Sequence, residues 1–195
     1  MKTLLAIITL IVLGTLLLPL VADEQVGAET ELGFNHPILS QIKLTDQDQQ
    51  LFTLGDLVGK TVVLNFMFNG CSPVQTVALR RAYLDHQLER KDKGIVFLSI
   101  SVATDTDTPQ QLKEFAQRYN IYSKNWRLAI TNKASLDVLL ETLNAGIPPE
   151  AGRVGHLNTV FLLNKEGVLS KRYKGYPVSP SAIFDDLSSV LASSP

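Results

Sequence analysis

Thr61-Val62-Val63-Leu64-Asn65-Phe66-Met67-Phe68, then Asn69-Gly70-Cys71-Ser72-Pro73, then Val74-Gln75-Thr76-Val77-Ala78-Leu79-Arg80-Arg81 is the stretch that decides the fold. Its first part is a near-continuous β-rich apolar run, the pattern of a strand buried on both faces. Its last part opens a segment, 74–90, in which Val74, Val77, Ala78, Ala82 and Tyr83 follow roughly helical spacing. Ser72 and Pro73 between them are residues that begin helices. Cys71 therefore stands at a strand-to-helix corner. A thiol there meets unpaired backbone N–H groups and the positive end of a helix dipole, and both favour thiolate over thiol. That makes Cys71 a candidate reactive sulfur or soft metal ligand. The competing reading is a buried free cysteine acting as a small hydrophobe.

Outward from this stretch the elements alternate. Ile42–Thr45 and Gln50–Leu54 flank the polar Asp46–Gln49 and predict a hairpin. Gly94 breaks the chain before a second buried strand, Ile95–Ile100. Leu112, Phe115, Ala116 and Tyr119 mark a helix, with Asp107 expected as its N-cap and Pro109 in its first turn. A short strand is expected at Trp126–Ile130, a helix through Leu136, Leu139, Leu140 and Leu143, and a loop over Gly146–Gly155. Thr159–Leu163 and Val168–Tyr173 share the turn Asn164–Gly167, so they must be antiparallel. Ile183, Leu187, Val190 and Leu191 space out a closing helix. The order predicts the α/β class, in a thioredoxin-like fold. A mixed central β-sheet is flanked by helices and carries an N-terminal β-hairpin extension.

Composition narrows the function. The chain has 195 residues, 45% of them hydrophobic, with 18 basic and 19 acidic residues. No basic excess exists to neutralise phosphates, so no nucleic-acid partner is expected. A single cysteine excludes an internal disulfide, a multi-thiolate zinc site and a CxxC dithiol. Residues 1–22, MKTLLAIITLIVLGTLLLPLVA, carry Lys2 as their only charge and an apolar run from Leu4 to Val21. This is export chemistry. It reads either as a signal peptide cleaved near Ala22 or after Val26-Gly27-Ala28, or as an uncleaved anchor near the lower length limit for spanning a bilayer. Residues 23–38 read as a linker leading into the fold, and 39–193 as the thioredoxin-like domain. His36 reads as a surface-loop residue and His86 as a helix-surface one.

Residues 45–75 resemble the Sco (SenC) family, thioredoxin-fold proteins of copper handling and cytochrome c oxidase assembly. The family opening D-x-x-G-x-x-F-x-L-x-D-L-x-G-K is echoed in Asp46 to Lys60, which keeps Phe52, Leu54, Asp56, Leu57, Gly59 and Lys60. The family's F-x-[YF]-[ST]-x-C-x-x-x-C-P falls on Phe66-Met67-Phe68-Asn69-Gly70-Cys71-Ser72-Pro73-Val74-Gln75. The first family cysteine is thus Cys71 and the second is replaced by Gln75. His156, in Gly155-His156-Leu157-Asn158-Thr159-Val160, has the spacing of the family's metal-binding histidine. Ser101–Pro109 resembles S-V-D-P-x-x-D-T-P, with Ala103-Thr104 in place of Asp-Pro. Thioredoxin and TlpA-type relatives tend to carry a cis-proline near the position of Asn158, where this chain has none. The resemblance covers roughly residues 40–192.

The resemblance implies a site of two thiolates and one imidazole for Cu(I), since soft sulfur selects that ion. Here Gln75 offers a hard amide oxygen instead, which leaves Cys71 and His156 as the metal ligands and copper as the expected ion. Met67 is a soft thioether nearby, but in a buried strand it reads as core packing. Dithiol–disulfide exchange needs a resolving thiol that the chain lacks, so dithiol oxidoreductase activity is not expected. Phe68 stands where one-Cys peroxidases place Thr or Ser. The family implies an exported protein, in the periplasm or on the periplasmic face of the inner membrane, attached through the N-terminal segment if that is uncleaved. Its implied partner is a cytochrome c oxidase subunit or another envelope copper protein. Two alternatives stay open at this point. One is a degenerate thioredoxin-fold binding module without metal, and the other is a monothiol redox protein.

Overall fold

The computed structural model describes residues 33–70, 73–85, 94–121, 124–146 and 158–192. The leader 1–22, the linker up to residue 32, Cys71, His86, His156 and most of the expected 146–155 loop lie outside the described residues. Among those described, no helix is long and apolar enough to cross a membrane.

The chain runs through β1 (Lys43–Asp46), β2 (Leu51–Thr53), β3 (Thr61–Met67), α1 (Val74–Asp85), β4 (Ile95–Ser101), α2 (Pro109–Arg118), β5 (Trp126–Ile130), α3 (Lys133–Thr142), β6 (Thr159–Leu163), β7 (Leu169–Lys174) and α4 (Pro180–Ala192). One sheet joins the strands in the order β2-β1-β5-β4-β3-β6-β7. β3, β4 and β5 are parallel, while β6, β7 and the β1–β2 hairpin run antiparallel to their neighbours. This is the mixed sheet expected from the sequence. The hairpin extends it beyond β5, where the Gln47 side chain prolongs β1. Its Oε1 accepts from Leu128 N at 2.8 Å and its Nε2 donates to Trp126 O at 3.3 Å.

Strand alternation divides the core in two. Val62, Leu64 and Phe66 face one side, with α3 (Leu136, Leu139, Leu140) and the short 3-10 turns at Leu39–Gln41 and Gly55–Leu57. Val63 and Met67 face the other, under α1, α2 and α4. Because helices cover both faces, all seven residues of β3 are buried, which is why its sequence reads as a continuous apolar run. Within the second face a polar line crosses three strands. Trp126 Nε1 donates to Ser99 Oγ at 3.1 Å, and that hydroxyl donates to Asn65 Oδ1 at 2.7 Å.

The stretch read as linker is already docked at its end. Gly33 forms a β-bridge with Val168, Phe34 N donates to Gly167 O at 2.6 Å, and the Phe34 ring is fully buried. A Cβ on Gly33 would lie 1.9 Å from Gly167 O, so only glycine permits this approach. His36 remains a loop residue, its Nδ1 accepting from Ile38 N at 3.3 Å.

Two local readings change. The inward row of α1 is Gln75, Leu79 and Tyr83, spaced i, i+4 and i+8, whereas Val74 and Val77 are exposed. Tyr83 fixes that orientation by packing edge-on against Phe97 and Trp126, with ring centroids 5.0 and 5.6 Å away. At α2 the N-cap is Thr108, not Asp107. Thr108 Oγ1 accepts from Gln111 N, and the Gln111 side chain accepts from Thr108 N at 2.9 Å, a complete capping box with Pro109 beside it.

Candidate metal centre

β3 and β6 are neighbours, in a register that pairs Asn65 with Val160 and Val62 with Leu163. The C-terminal end of β3 and the N-terminal end of β6 therefore meet at one end of the sheet. The corner carrying Cys71 follows the first, and the segment carrying His156 precedes the second. Both residues lie outside the described residues. The nearest described residues are Gly70 and Pro73 around the first and Asn158 after the second.

On the cysteine side the frame is built around Asp107. Its carboxylate is 7% exposed, and its Oδ2 accepts from Asn69 N at 3.0 Å and from Ser101 Oγ at 2.5 Å. Ser101 Oγ in turn accepts from Ala103 N at 3.1 Å, and Val102 N donates to Met67 O at 2.8 Å. Burying a carboxylate is costly unless donors surround it. Here they come from the end of β4 and from the corner after β3, so one side chain ties those two segments together.

Gln75, which the sequence pattern sets against the family's second cysteine, sits in the first turn of α1. It is 7% exposed, and its Oε1 accepts from Val178 N at 2.9 Å. That bond joins α1 to the connection between β7 and α4. The amide oxygen is thus already engaged, and Gln75 is no free donor for a metal. Its Nε2 is buried with no partner among the described residues, as are Asn69 Oδ1 and Asn158 Oδ1. On the histidine side, Gly175 N donates to Asn158 O at 2.8 Å, so the same connection also braces the start of β6.

Met67 lies buried in the core, as its strand position predicts. Among the described residues no three His, Cys, Asp or Glu side chains group as metal ligands. Sequence reasoning missed the roles of Asp107 and Gln75. The only signals available were an Asp beside a second capping residue and a polar residue on the inward row of a helix.

Comparison with known proteins agrees with this architecture. The chain is 25% identical over 148 residues to a SCO1 protein homolog of Bacillus subtilis (strain 168), covering 73% of this chain and 75% of that one. A SCO1/SenC family lipoprotein from Bacillus anthracis is 27% identical with a TM-score of 0.65, covering 76% of this chain and 91% of that chain. Yeast Sco1 with copper bound shares the fold at 16% identity and a TM-score of 0.61, covering 79% of this chain and 92% of that chain. The SCO1/SenC family model matches residues 30–192, a span that contains every described residue, and the chain belongs to that family.

Proposed function

We propose that the protein binds Cu(I) as cargo through Cys71 and His156 and carries it toward cytochrome c oxidase assembly in the cell envelope. The observation behind this reading is the adjacency of β3 and β6, which brings the chain leaving β3 just before Cys71 and the chain entering β6 just after His156 to one end of the sheet. Copper bound in a family member of the same fold supports the choice of ion. A thiolate and an imidazole suit a two-coordinate Cu(I), and the missing second thiolate weakens retention. Metal uptake requires loss of the Cys71 thiol proton, so affinity rises with pH until the thiol is ionised. The apolar leader exports the domain, which works in the periplasm or on the periplasmic face of the inner membrane. The metal's recipient is an oxidase subunit or another envelope copper protein. The test is titration of the 33–195 domain with Cu(I) against a competing chelator, beside Cys71→Ser. Equal weak binding by the two proteins rejects the reading.

One observation favours a second reading, a fold that persists as a binding module without metal. The residue in the second thiol's place is committed to Val178 N, so the site's frame has been rebuilt around an amide. Under this reading the unaltered protein takes up no Cu(I) in the same titration.

A further inference from the structure

We propose that Asp107 is a positioning residue for the Cys71 corner, acting through the backbone N–H of Asn69. The copper part of this inference rests on the function proposed above, whereas the positioning of Cys71 does not. Three observations carry it. Asp107 is released from helix capping, because Thr108 and Gln111 complete the capping box of α2 without it. Its carboxylate is buried and turned toward the end of the sheet, where one oxygen takes both Asn69 N and Ser101 Oγ. Asn69 stands two residues before Cys71. No other bond from Asn69 N to the fold competes with this one among the described residues. An N–H held by a carboxylate forms a charge-assisted hydrogen bond, stronger than the neutral kind. The chain leaving β3 is thereby fixed at Asn69, and the path to Cys71 starts from a set point. Without the carboxylate, that start is free to open.

The effect is local, which separates it from a general contribution to stability. Asp107→Ala removes the acceptor. Asp107→Asn keeps one, since an amide oxygen can accept from the same two donors. Thr108→Ala loosens the same helix start through its cap but leaves the Asn69 bond in place. The readouts are amide hydrogen exchange at Asn69, the alkylation rate of Cys71 in the metal-free protein, and Cu(I) affinity by chelator competition.

Asp107→Ala is expected to speed Asn69 exchange at least about tenfold, the least change that losing one hydrogen bond to a charged group produces. Cys71 alkylation should change, and Cu(I) affinity fall, by about the same factor. Asp107→Asn should stay within about threefold of the unaltered protein, and Thr108→Ala should leave all three readouts unchanged at matched stability. The proposal is overturned if Asp107→Ala leaves Asn69 exchange and Cys71 alkylation unchanged, if Thr108→Ala reproduces its effects, or if Asp107→Asn fails to restore them. Should Asp107→Ala not fold, the unaltered protein decides. Its Asn69 amide must be protected at least about tenfold over an unstructured amide, and lack of protection overturns the proposal. A protein that takes up no Cu(I) while Asp107→Ala still alters Cys71 alkylation rejects the copper reading and upholds the positioning one.

Discussion

Gln75→Cys restores the family's second thiol and tests the amide frame in the same experiment. The structure sets the stability cost. Val178 N is buried and takes Gln75 Oε1 as its acceptor at 2.9 Å, and a thiol at the shorter cysteine side chain cannot reach it. Leaving a buried N–H unpaired costs about 1–3 kcal/mol. Against this, the substitution deletes the unpartnered Gln75 Nε2, which removes a penalty of about 1 kcal/mol. The balance is a loss of about 1 kcal/mol. For a domain of this size that lowers Tm by about 2–4 °C. Gln75→Ala loses the same bond without adding a thiol and gives the stability change alone. A second soft donor should raise Cu(I) affinity at least tenfold, about 1.4 kcal/mol, over both Gln75→Ala and the unaltered protein. Thermal melts of the metal-free proteins and chelator-competition titrations measure the two effects. If Gln75→Cys melts at or above the unaltered protein, the Val178 bond does not contribute as argued. If its affinity for Cu(I) does not rise, more of the site than one thiol has been lost.

Asp186 predicts an acid response. The Lys171 ammonium and the Tyr173 hydroxyl hold its carboxyl below the usual carboxylate range, and burial beside Asp186 pushes the Tyr173 phenol upward. The Asp186 contribution is therefore present above the unfolded carboxyl's pKa of about 4 and is lost as pH falls through the lower folded value. Asp186→Asn should narrow its stability gap from the unaltered protein as pH falls through that window, read from urea midpoints; a gap independent of pH would sink the argument. Gly33→Ala forces a Cβ against Gly167 O and should cost about 1–3 kcal/mol in chemical denaturation, with an unchanged midpoint refuting the docking of Phe34. Ser99→Ala leaves Trp126 Nε1 without its acceptor and Asn65 Oδ1 without its donor. It should cost about 2 kcal/mol, and a loss under about 0.5 would show that the polar line carries no stability.

The parts of the fold legible in the sequence are those set by local periodicity. β3 and β4 show as apolar runs because both their faces are covered, and the β6–β7 pair follows from the short turn Asn164–Gly167. What escaped depends on contacts between distant residues. Asp107 and Thr108 are both capping residue types, and their roles are divided by Asn69 and Ser101, which draw the carboxylate away from the helix. Val74 and Val77 look like a buried stripe, yet the packing of Leu79 and Tyr83 turns Gln75 inward instead. Phe34 reads as part of the linker because nothing near it in sequence announces the bridge from Gly33 to Val168. Of the candidate site, the family pattern points to Cys71, His156 and the change at Gln75, while the bonds of Asp107 and Gln75 leave no mark in it.

The two margins of the sheet bear on how a partner can recognise the protein. β2 is a strand of three residues, and β7 presents Ser170, Lys171, Arg172 and Lys174 as exposed side chains. β5, which would otherwise form a margin, is sealed by β1 and by the Gln47 amide. A short strand and a strongly cationic one are poor templates for an incoming strand. Recognition by strand addition, one of the recurring ways proteins capture extended segments, is thus discouraged on both flanks. Exposed apolar side chains that need no strand pairing lie at Val74 and Val77 at the start of α1 and at Ile38 and Val138. A partner that docks on such side chains would make its contacts without adding a strand to the sheet.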